Sequence, residues 1–191
     1  MSDTPPNHAL VVGGTGMLRA VSLALAERGN TVSVIARNPN KLAVLQRAVA
    51  TMMTGRVNPI ALDYNDEEAF HTALNEATAQ HGPISLSVVW VHGNKPAVLR
   101  GLTNHVQGRY VHVLGSTSER PGKSNPSRRK YFDSLDHIDY QEVILGFILD
   151  EGSGHSRWLT NEEISFGVLR ALDSTQSQFV VGQVEPWDAH P

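Results

Sequence analysis

A cluster of glycines near the start of the sequence has the composition of a phosphate-binding turn. The stretch "ALVVGGTGMLRA" contains an apolar run, then three glycines within four residues, then the beginning of a helical pattern. Glycine permits backbone angles that a side chain forbids, and it allows a pyrophosphate to approach the amino end of the helix closely. A tight strand-to-helix turn without a ligand is the alternative interpretation. The residues that we expect to bind nucleotide phosphates are Gly13, Gly14, Thr15, Gly16, Met17 and Leu18.

An arginine directly follows this turn. Arg19 stands where turns of this type often carry a further glycine, which lets the helix pack closely on the sheet. We expect Arg19 to face solvent from the first turn of the helix. Contact with a phosphate is the alternative.

The residues after the second predicted strand, "TVSVIA", are basic rather than acidic. Sites for NAD place an Asp or Glu near the end of this strand, where it binds the ribose 2′-hydroxyl. No acidic residue occurs between Glu27 and Asp63, whereas Arg37 and Lys41 follow the strand. A guanidinium binds a 2′-phosphate that a carboxylate would repel. We therefore expect NADP(H), bound by Arg37, Asn38 and Lys41, with a solvated surface arginine as the alternative.

Strand-like and helix-like patterns alternate along the whole chain. They predict strands at residues 9–12, 31–36, 57–62, 84–91, 109–115, 140–149 and in "QFVVGQVE". Helices are predicted at residues 16–28, from Asn38-Pro39 to Gly55, from an Asn65–Glu68 capping box to His81, at 96–107, at 127–135 and after a Thr160–Glu163 cap. This alternation predicts an α/β fold: a single Rossmann-type doubly wound parallel sheet of about seven strands, with helices on both faces. Residues 1–191 form one domain in this interpretation, with a flexible leader at 1–7 and a mobile basic loop at 116–130.

Bulk properties narrow the class of protein. A chain of 191 residues suits one hydrophobic core, and a net charge of −3 disfavours nucleic acid or a membrane surface as the main partner. The chain has no cysteine, which excludes disulfides and thiolate chemistry. The leader "MSDTPPNH" lacks the features of a secretion signal, and no apolar stretch is long enough to span a bilayer, so we expect a cytoplasmic protein.

Three other patterns resemble functional motifs but lack features that those motifs require. "TSERPGKS" ends like a phosphate-binding P-loop, but Thr117 replaces the required glycine and Pro121 removes an amide donor. The basic residues Arg120, Lys123 and Arg128–Lys130 lack interleaved aromatic residues, so we expect a solvated loop and no nucleic acid. The nine histidines show no metal-ligand spacing, and His112 alternates with valines as a packed strand residue does.

The order of these patterns resembles the short-chain dehydrogenase/reductases, above all the atypical members with a GGTG turn. "VVGGTGML", "VIARN", "ALDYND" and "VILGFI" carry the resemblance, which covers nearly the whole chain. It implies that Asp63, with Tyr64, meets the adenine edge and that His92 and Gly93 line the cofactor. Gly146, Phe147 and Ile148 would meet the nicotinamide carboxamide, although Leu145 replaces the family's proline.

The resemblance also implies a catalytic apparatus that this chain holds incompletely. Members of the family use a serine after the fifth strand and a Tyr-x-x-x-Lys, whose tyrosine donates a proton to the carbonyl. Ser116 falls on the position of the serine, but no Tyr-x-x-x-Lys occurs. Tyr131 is the candidate proton donor, and an ordinary surface aromatic is the alternative.

The sequence therefore leaves two functions open. One is an NADP(H)-dependent oxidoreductase that acts on a small carbonyl-type substrate, and the other is a non-catalytic NADP(H)-binding sensor or regulatory protein. Arg157 and Trp158 follow the sixth strand, where the family builds its substrate lid, so they are candidates for contact with substrate; packing of Trp158 on the next helix is the alternative. We expect a small-molecule partner and no metal, and a homodimer is compatible with the family.

Overall fold

The fold consists of nine strands and six α-helices in the described part of the chain, which is residues 7–52, 54–93, 95–119, 126–150, 152 and 154–191 of a computed structural model. The strands are β1 (His8–Val12), β2 (Thr31–Ala36), β3 (Arg56–Ala61), β4 (Ile84–Val89), β5 (Val106–Gly115), β6 (Ile138–Leu145), β7 (Phe147–Leu149), β8 (Ser156–Trp158) and β9 (Gln178–Val181). The helices are α1 (Arg19–Glu27), α2 (Pro39–Ala50), α3 (Glu67–His81), α4 (Pro96–Leu102), α5 (Pro126–Asp133) and α6 (Asn161–Leu172).

Seven of the strands form one parallel sheet in the order β3-β2-β1-β4-β5-β6-β9. This result confirms the predicted Rossmann-type α/β fold. The strand order reverses between β1 and β4, since β2 and β3 continue on one side of β1 and the later strands lie on the other. In open sheets of this kind, ligands bind beyond the carboxyl ends of the strands at such a reversal.

Helices cover both faces of the sheet because its strands carry apolar residues on both sides. Val11 of β1 packs in the cluster that includes residues of α1, α2 and α6, whereas Leu10 and Val12 pack in the cluster that includes residues of α3, α4 and α5. Alternate side chains of a strand point to opposite faces, so one apolar run supplies both cores.

Side chains cap three of the long helices at their amino ends. The Asn38 side chain accepts from the amide of Lys41 at the start of α2, and the predicted Thr160–Glu163 capping box is present on α6. The predicted capping box at α3 is wrong, because Asp66 caps that helix through the amide of Ala69. The Asn65 side chain instead donates to the carboxylate of Asp63.

The predicted strand at 140–149 is divided in two. It leaves the large sheet after Leu145, and β7 pairs with β8 in a separate antiparallel sheet. The division arises at Gly146, where a Cβ would lie 2.0 Å from the carbonyl oxygen of Gln183. The amide and carbonyl of Phe147 both bond to Gln183, and this pairing turns the chain away from β9.

The predicted mobile basic loop at 116–130 needs correction at both ends. Residues 116–119 form a 3-10 turn, and α5 begins at Pro126, so Arg128 and Arg129 are helical. Both arginines bind the carboxylate of Glu142 in β6, and their side chains are only partly exposed, so they are not the fully solvated loop residues that were expected. Arg120 and Lys123 lie outside the described residues, as does most of the predicted leader at 1–7. No helix in the described ranges is long and apolar enough to cross a membrane.

Candidate functional site

The glycine turn follows β1 directly at the point where the strand order reverses. Gly13 has φ of +83°, a backbone conformation that favours glycine, and its amide donates to the carbonyl of Ile35 at 2.9 Å. A Cβ on Gly13 would lie 3.3 Å from the backbone oxygen of Trp90, which follows β4. The Ser22 hydroxyl donates to the carbonyl of Gly14 at 3.1 Å and so ties the turn to α1. Sheet and helix thus both fix the path of the turn.

The amino end of α1 differs from the capped ends of α2, α3 and α6. Leu18 is its N-cap residue, no side chain of the described chain caps it, and its first turn has no acidic residue. The first amides of a helix need acceptors from outside the helix, and together with the helix dipole they favour an anion. Arg19 is exposed on the outer side of this turn, as expected. The end of α1 that faces the crevice is therefore suited to a phosphate.

Substitution of Gly14 by alanine is expected to lower the free energy of unfolding by about 1–3 kcal/mol, the usual cost of overpacking a core. A Cβ there would lie 2.6 Å from Ser22 Oγ, 2.7 Å from Val34 Cγ1 and 2.9 Å from Val11 Cγ1. Denaturant unfolding followed by circular dichroism measures the change. Gly16→Ala is the matched control, because a Cβ at Gly16 meets no described atom within 4 Å. Equal stability of the two variants would contradict this packing.

A cavity of about 440 Å³ opens beside the turn, and we call it the glycine-turn cavity. Its walls come from the ends of four neighbouring parallel strands, and they include Gly13, Thr15, Arg37, Tyr64, His92 and Lys95. None of the described residues that line it is acidic, while Arg37 and Lys95 are cationic. A cavity with this lining favours an anionic ligand.

The segment after β3 forms the far wall of this cavity. The hydroxyl of Tyr64 accepts from the amide of His92 at 3.1 Å and thereby links the chain after β3 to the chain after β4. The carboxylate of Asp63 accepts from the Asn65 amide at 3.0 Å, and this hydrogen bond, helped by Arg37 and Lys95, lowers the pKa of Asp63. Asp63 is therefore ionised, beside the cavity lining rather than within it.

The predicted cofactor residues divide into three groups. Gly13, Thr15, Arg37, Tyr64 and His92 line the glycine-turn cavity, and Gly93 lines the neighbouring cavity described next. The second group lines neither cavity and comprises Gly14, Gly16, Met17 and Leu18 in the glycine turn, Asn38 and Lys41 at the start of α2, and Asp63 after β3. Gly146, Phe147 and Ile148 lie apart, and the amides of Gly146 and Phe147 already donate to Val181 and Gln183.

A second cavity of about 530 Å³ lies between β5, α4 and α5, and we call it the β5 cavity. Trp90 and His92 line both cavities, so the two adjoin. Ser116 is buried at the end of β5, between Gly115 and Thr117, which line the cavity. The ring of Tyr131 lines it as well, but the Tyr131 hydroxyl lies 3.4 Å from Thr103 Oγ1, and the Arg100 guanidinium lies over the ring. The two predicted catalytic residues are therefore near one cavity, with the tyrosine hydroxyl engaged at the end of α4.

A buried carboxylate lies below the β5 cavity. The side chain of Glu142 is 4% exposed and accepts from Arg128 Nε at 2.9 Å, from Arg129 at 3.3 Å and from the Tyr140 hydroxyl at 3.1 Å. Burial alone would raise the pKa of Glu142, but the two guanidiniums and the hydrogen bonds outweigh it and hold the pKa below its usual value. Glu142 is therefore an anion inside the protein.

His112 connects this carboxylate to the cavity. His112 lines the β5 cavity and is 3% exposed, and its Nδ1 lies 3.0 Å from the Tyr140 hydroxyl. Burial, with a smaller effect of Arg128, lowers the pKa of His112 to about 3, and Glu142 offsets part of that effect. The imidazole is therefore neutral at physiological pH.

Acid is expected to destabilise the protein partly through His112. The unfolded chain protonates this imidazole near pH 6.5, whereas the folded chain does so near pH 3, so the unfolded state binds more protons between these values. Stability is then lost as the pH falls below 6.5, by about 2 kcal/mol between pH 7 and pH 5. Urea unfolding at the two pH values measures it, and His112→Phe should lack this part of the loss. An equal loss in both proteins would show that His112 is not buried as described.

The predicted substrate residues lie elsewhere. Arg157 forms two hydrogen bonds of 2.8 Å with the carboxylate of Glu163, and Trp158 is 52% exposed with its ring near His190. Neither residue lines either cavity. Arg157 is thus bound to Glu163 of the α6 capping box. The expected contact of Arg157 and Trp158 with substrate has no support in this geometry.

The sheet order, the glycine turn after β1 and the cavities at the reversal define a Rossmann-type fold. Residues 7–93, which run from the start of β1 past the end of β4, match the family model described as short chain dehydrogenase. That part of the chain is therefore similar to the short-chain dehydrogenases, in agreement with the predicted resemblance.

Solved structures of that family share the fold over nearly the whole chain. A metagenomic short-chain oxidoreductase in complex with NADP has a TM-score of 0.72 and 18% identity, covering 95% of this chain and 99% of its own. YwfH, an NADPH dependent reductase involved in bacilysin biosynthesis, has a TM-score of 0.72 and 17% identity over 93% and 100% of the two chains. A short-chain type dehydrogenase/reductase from Mycobacterium marinum has a TM-score of 0.68 and 19% identity, covering 95% of this chain and 98% of its own. No curated protein matches the sequence.

Sequence reasoning missed the role of His112, Tyr140 and Glu142. The available signal was a glutamate within the apolar strand "YQEVIL", two residues after a tyrosine, which places both side chains on one face. The register of β5 against β6 pairs His112 with Glu142 and so completes the group. Among the described residues, no cluster of His, Asp and Glu has the arrangement of a metal site.

Proposed function

We propose that this chain is an NADP(H)-binding oxidoreductase that transfers hydride between the nicotinamide and a small carbonyl-type substrate. When bound, the cofactor supplies the hydride. The residues present fit such a group: the end of α1 that faces the crevice lacks a side-chain cap, and the glycine-turn cavity beside it is cationic.

The observation that carries the choice of NADP(H) over NAD(H) is the position of Arg37. It lines the glycine-turn cavity directly after β2, where an NAD site has an acidic residue. Its guanidinium is exposed, and it forms no ion pair with any residue that the structure describes. A planar guanidinium can donate two parallel hydrogen bonds to a 2′-phosphate. One similar structure is a complex with NADP and another is an NADPH dependent reductase, which supports this proposal.

The β5 cavity is proposed as the substrate site, because it adjoins the glycine-turn cavity at Trp90 and His92. Ser116 at the end of β5 would donate a hydrogen bond to the substrate oxygen. Tyr131 lines the same cavity and is the tentative proton donor, although its hydroxyl must first leave Thr103.

That engaged hydroxyl also favours a second function. Without a Tyr-x-x-x-Lys and with Tyr131 held by Thr103, the chain would bind NADP(H) without turnover and act as a sensor of the cofactor. A homodimer and a cytoplasmic location remain predictions from the sequence for either function.

Consumption of NADPH with a panel of small aldehydes, ketones and imines separates the two functions. The proposal expects turnover of at least one compound and a loss of about tenfold or more in kcat/KM for Ser116→Ala, in the range of lost hydrogen bonds to a charged oxygen. Ser177→Ala, which removes an exposed serine side chain that lines neither cavity, is the control. Tight binding without turnover of any compound would favour the sensor, and failure to bind NADPH would contradict both.

A further inference from the structure

The hydrogen bonds below the β5 cavity run in one direction only. Glu142 is an ionised carboxylate between Arg128 and Arg129, so it accepts hydrogen bonds and donates none. The Tyr140 hydroxyl has one proton, and at 3.1 Å from Glu142 Oε1 it donates that proton to the carboxylate. Toward its other neighbours, which include Arg128, the oxygen of Tyr140 can therefore only accept hydrogen bonds.

This direction fixes the tautomer of His112. Nδ1 of His112 lies 3.0 Å from the Tyr140 oxygen, which can only accept, so Nδ1 must carry the ring proton. The ring is neutral because it is buried, and a neutral imidazole has one proton. Nε2 is therefore a bare acceptor.

Nε2 of His112 is available to a ligand in the β5 cavity. His112 lines the cavity, no described residue forms a hydrogen bond with Nε2, and Nε2 is not among the buried polar atoms found without a partner. An acceptor in a largely buried site has few donors available to it, so a ligand that supplies a donor is favoured there.

The residues that line the cavity near His112 indicate the size and polarity of the ligand. Leu99, Val113 and Phe132 give the cavity apolar sides, and its volume of about 530 Å³ is large enough for a ring-sized compound. The charged side chains that line it, Arg100 and Arg128, can only donate hydrogen bonds. His112 is thus a fixed acceptor in a cavity whose charged groups, among the residues that the structure describes, are all donors.

We propose that the β5 cavity binds ring-sized alcohols or phenols whose hydroxyl group donates a hydrogen bond to Nε2 of His112. The residue is a binding group here, and no proton transfer is required of it. The place of this contact in catalysis rests on the proposed function, since reduction of a carbonyl yields a hydroxyl. The binding itself needs no cofactor, so its test is independent of that function.

Phenol and anisole test the proposal, because they differ in the hydroxyl proton that anisole lacks. Titration of the full chain with each compound, followed by the ¹⁵N signals of the histidine side chains, should give phenol an affinity at least tenfold higher than that of anisole. The His112 signals should report protonated Nδ1 and bare Nε2 before addition, and phenol should shift Nε2. His112→Phe should bind the two compounds equally, whereas His155→Phe, which changes an exposed histidine outside the cavity, should keep the preference.

Tyr140→Phe provides a second variant should His112→Phe fail to fold. It removes the oxygen that holds the tautomer, so the ¹⁵N spectrum should show a protonated Nε2 population and the preference for phenol should fall. Equal affinities of the unmodified chain, binding of neither compound, or a preference that survives in His112→Phe would each overturn the proposal.

Discussion

Replacing Arg37 with aspartate is expected to reverse the cofactor preference, with a change of roughly 100-fold or more in the ratio of the NADPH and NADH dissociation constants. The substitution removes the guanidinium that would bind the 2′-phosphate, and it adds a carboxylate that repels it. The new carboxylate would also accept from the 2′-hydroxyl of NADH, as the acidic residue of an NAD site does. Arg37 helps to lower the pKa of Asp63, so the two side chains are close together. Loss of the guanidinium therefore also removes a positive charge from beside the Asp63 carboxylate.

Fluorescence or calorimetric titrations of the variant with both cofactors measure the change in preference. Arg47→Asp is the matched control, because it makes the same change in net charge on the exposed face of α2, away from both cavities. We expect Arg47→Asp to leave the ratio within about twofold, since exposed charges at a distance are largely screened by salt. A similar change of ratio in the two variants would assign the preference to overall charge and not to Arg37.

Replacing Glu142 with alanine is expected to destabilise the fold by about 3 kcal/mol, near the lower limit for breaking a buried ion pair. The carboxylate is 4% exposed and accepts hydrogen bonds from Arg128, Arg129 and Tyr140. Its removal takes the counter-charge from Arg128, whose side chain is 17% exposed, and it leaves a cavity where the side chain was. Denaturant unfolding at neutral pH measures the loss.

An exposed ion pair on the same protein gives the control for this prediction. Arg28 and Asp173 lie 3.2 Å apart with side chains 47% and 64% exposed, so Asp173→Ala should cost less than about 1 kcal/mol. Both variants remove one carboxylate that binds an arginine, and they differ chiefly in burial. If Glu142→Ala were no more damaging than Asp173→Ala, the carboxylate would not be the buried anion that fixes the His112 tautomer.

The features that the sequence predicted well depend on residues close together in the chain. The glycine turn could be predicted from Gly13–Gly16 alone, because its backbone angles and its place between a strand and a helix are local properties. The cap at Asn38 and the capping box at Thr160 are local in the same sense. The parallel sheet followed from the repeated alternation of strands and helices, since parallel neighbours require such crossovers.

The features that the sequence did not predict depend on contacts between distant residues. Phe147 leaves the large sheet because Gln183, 36 positions later, binds both of its backbone groups. His112 and Glu142 come together through the register of β5 against β6. Arg128 joins them from α5, and although a helix was predicted at 127–135, its contact with β6 could not be read from local sequence. Arg157 was predicted to contact substrate because the sequence indicated a capping role for Glu163 but not the ion pair between Glu163 and Arg157.

The proposed function requires that a dinucleotide with a 2′-phosphate binds at the amino end of α1 and in the glycine-turn cavity. Calorimetric titration of the unmodified chain with NADPH and with NADH tests this requirement. We expect both cofactors to bind and NADPH to bind tighter by about tenfold or more, because only NADPH carries the phosphate for Arg37. Equal affinities for the two cofactors would contradict the role of Arg37, and no binding of either would contradict the site itself.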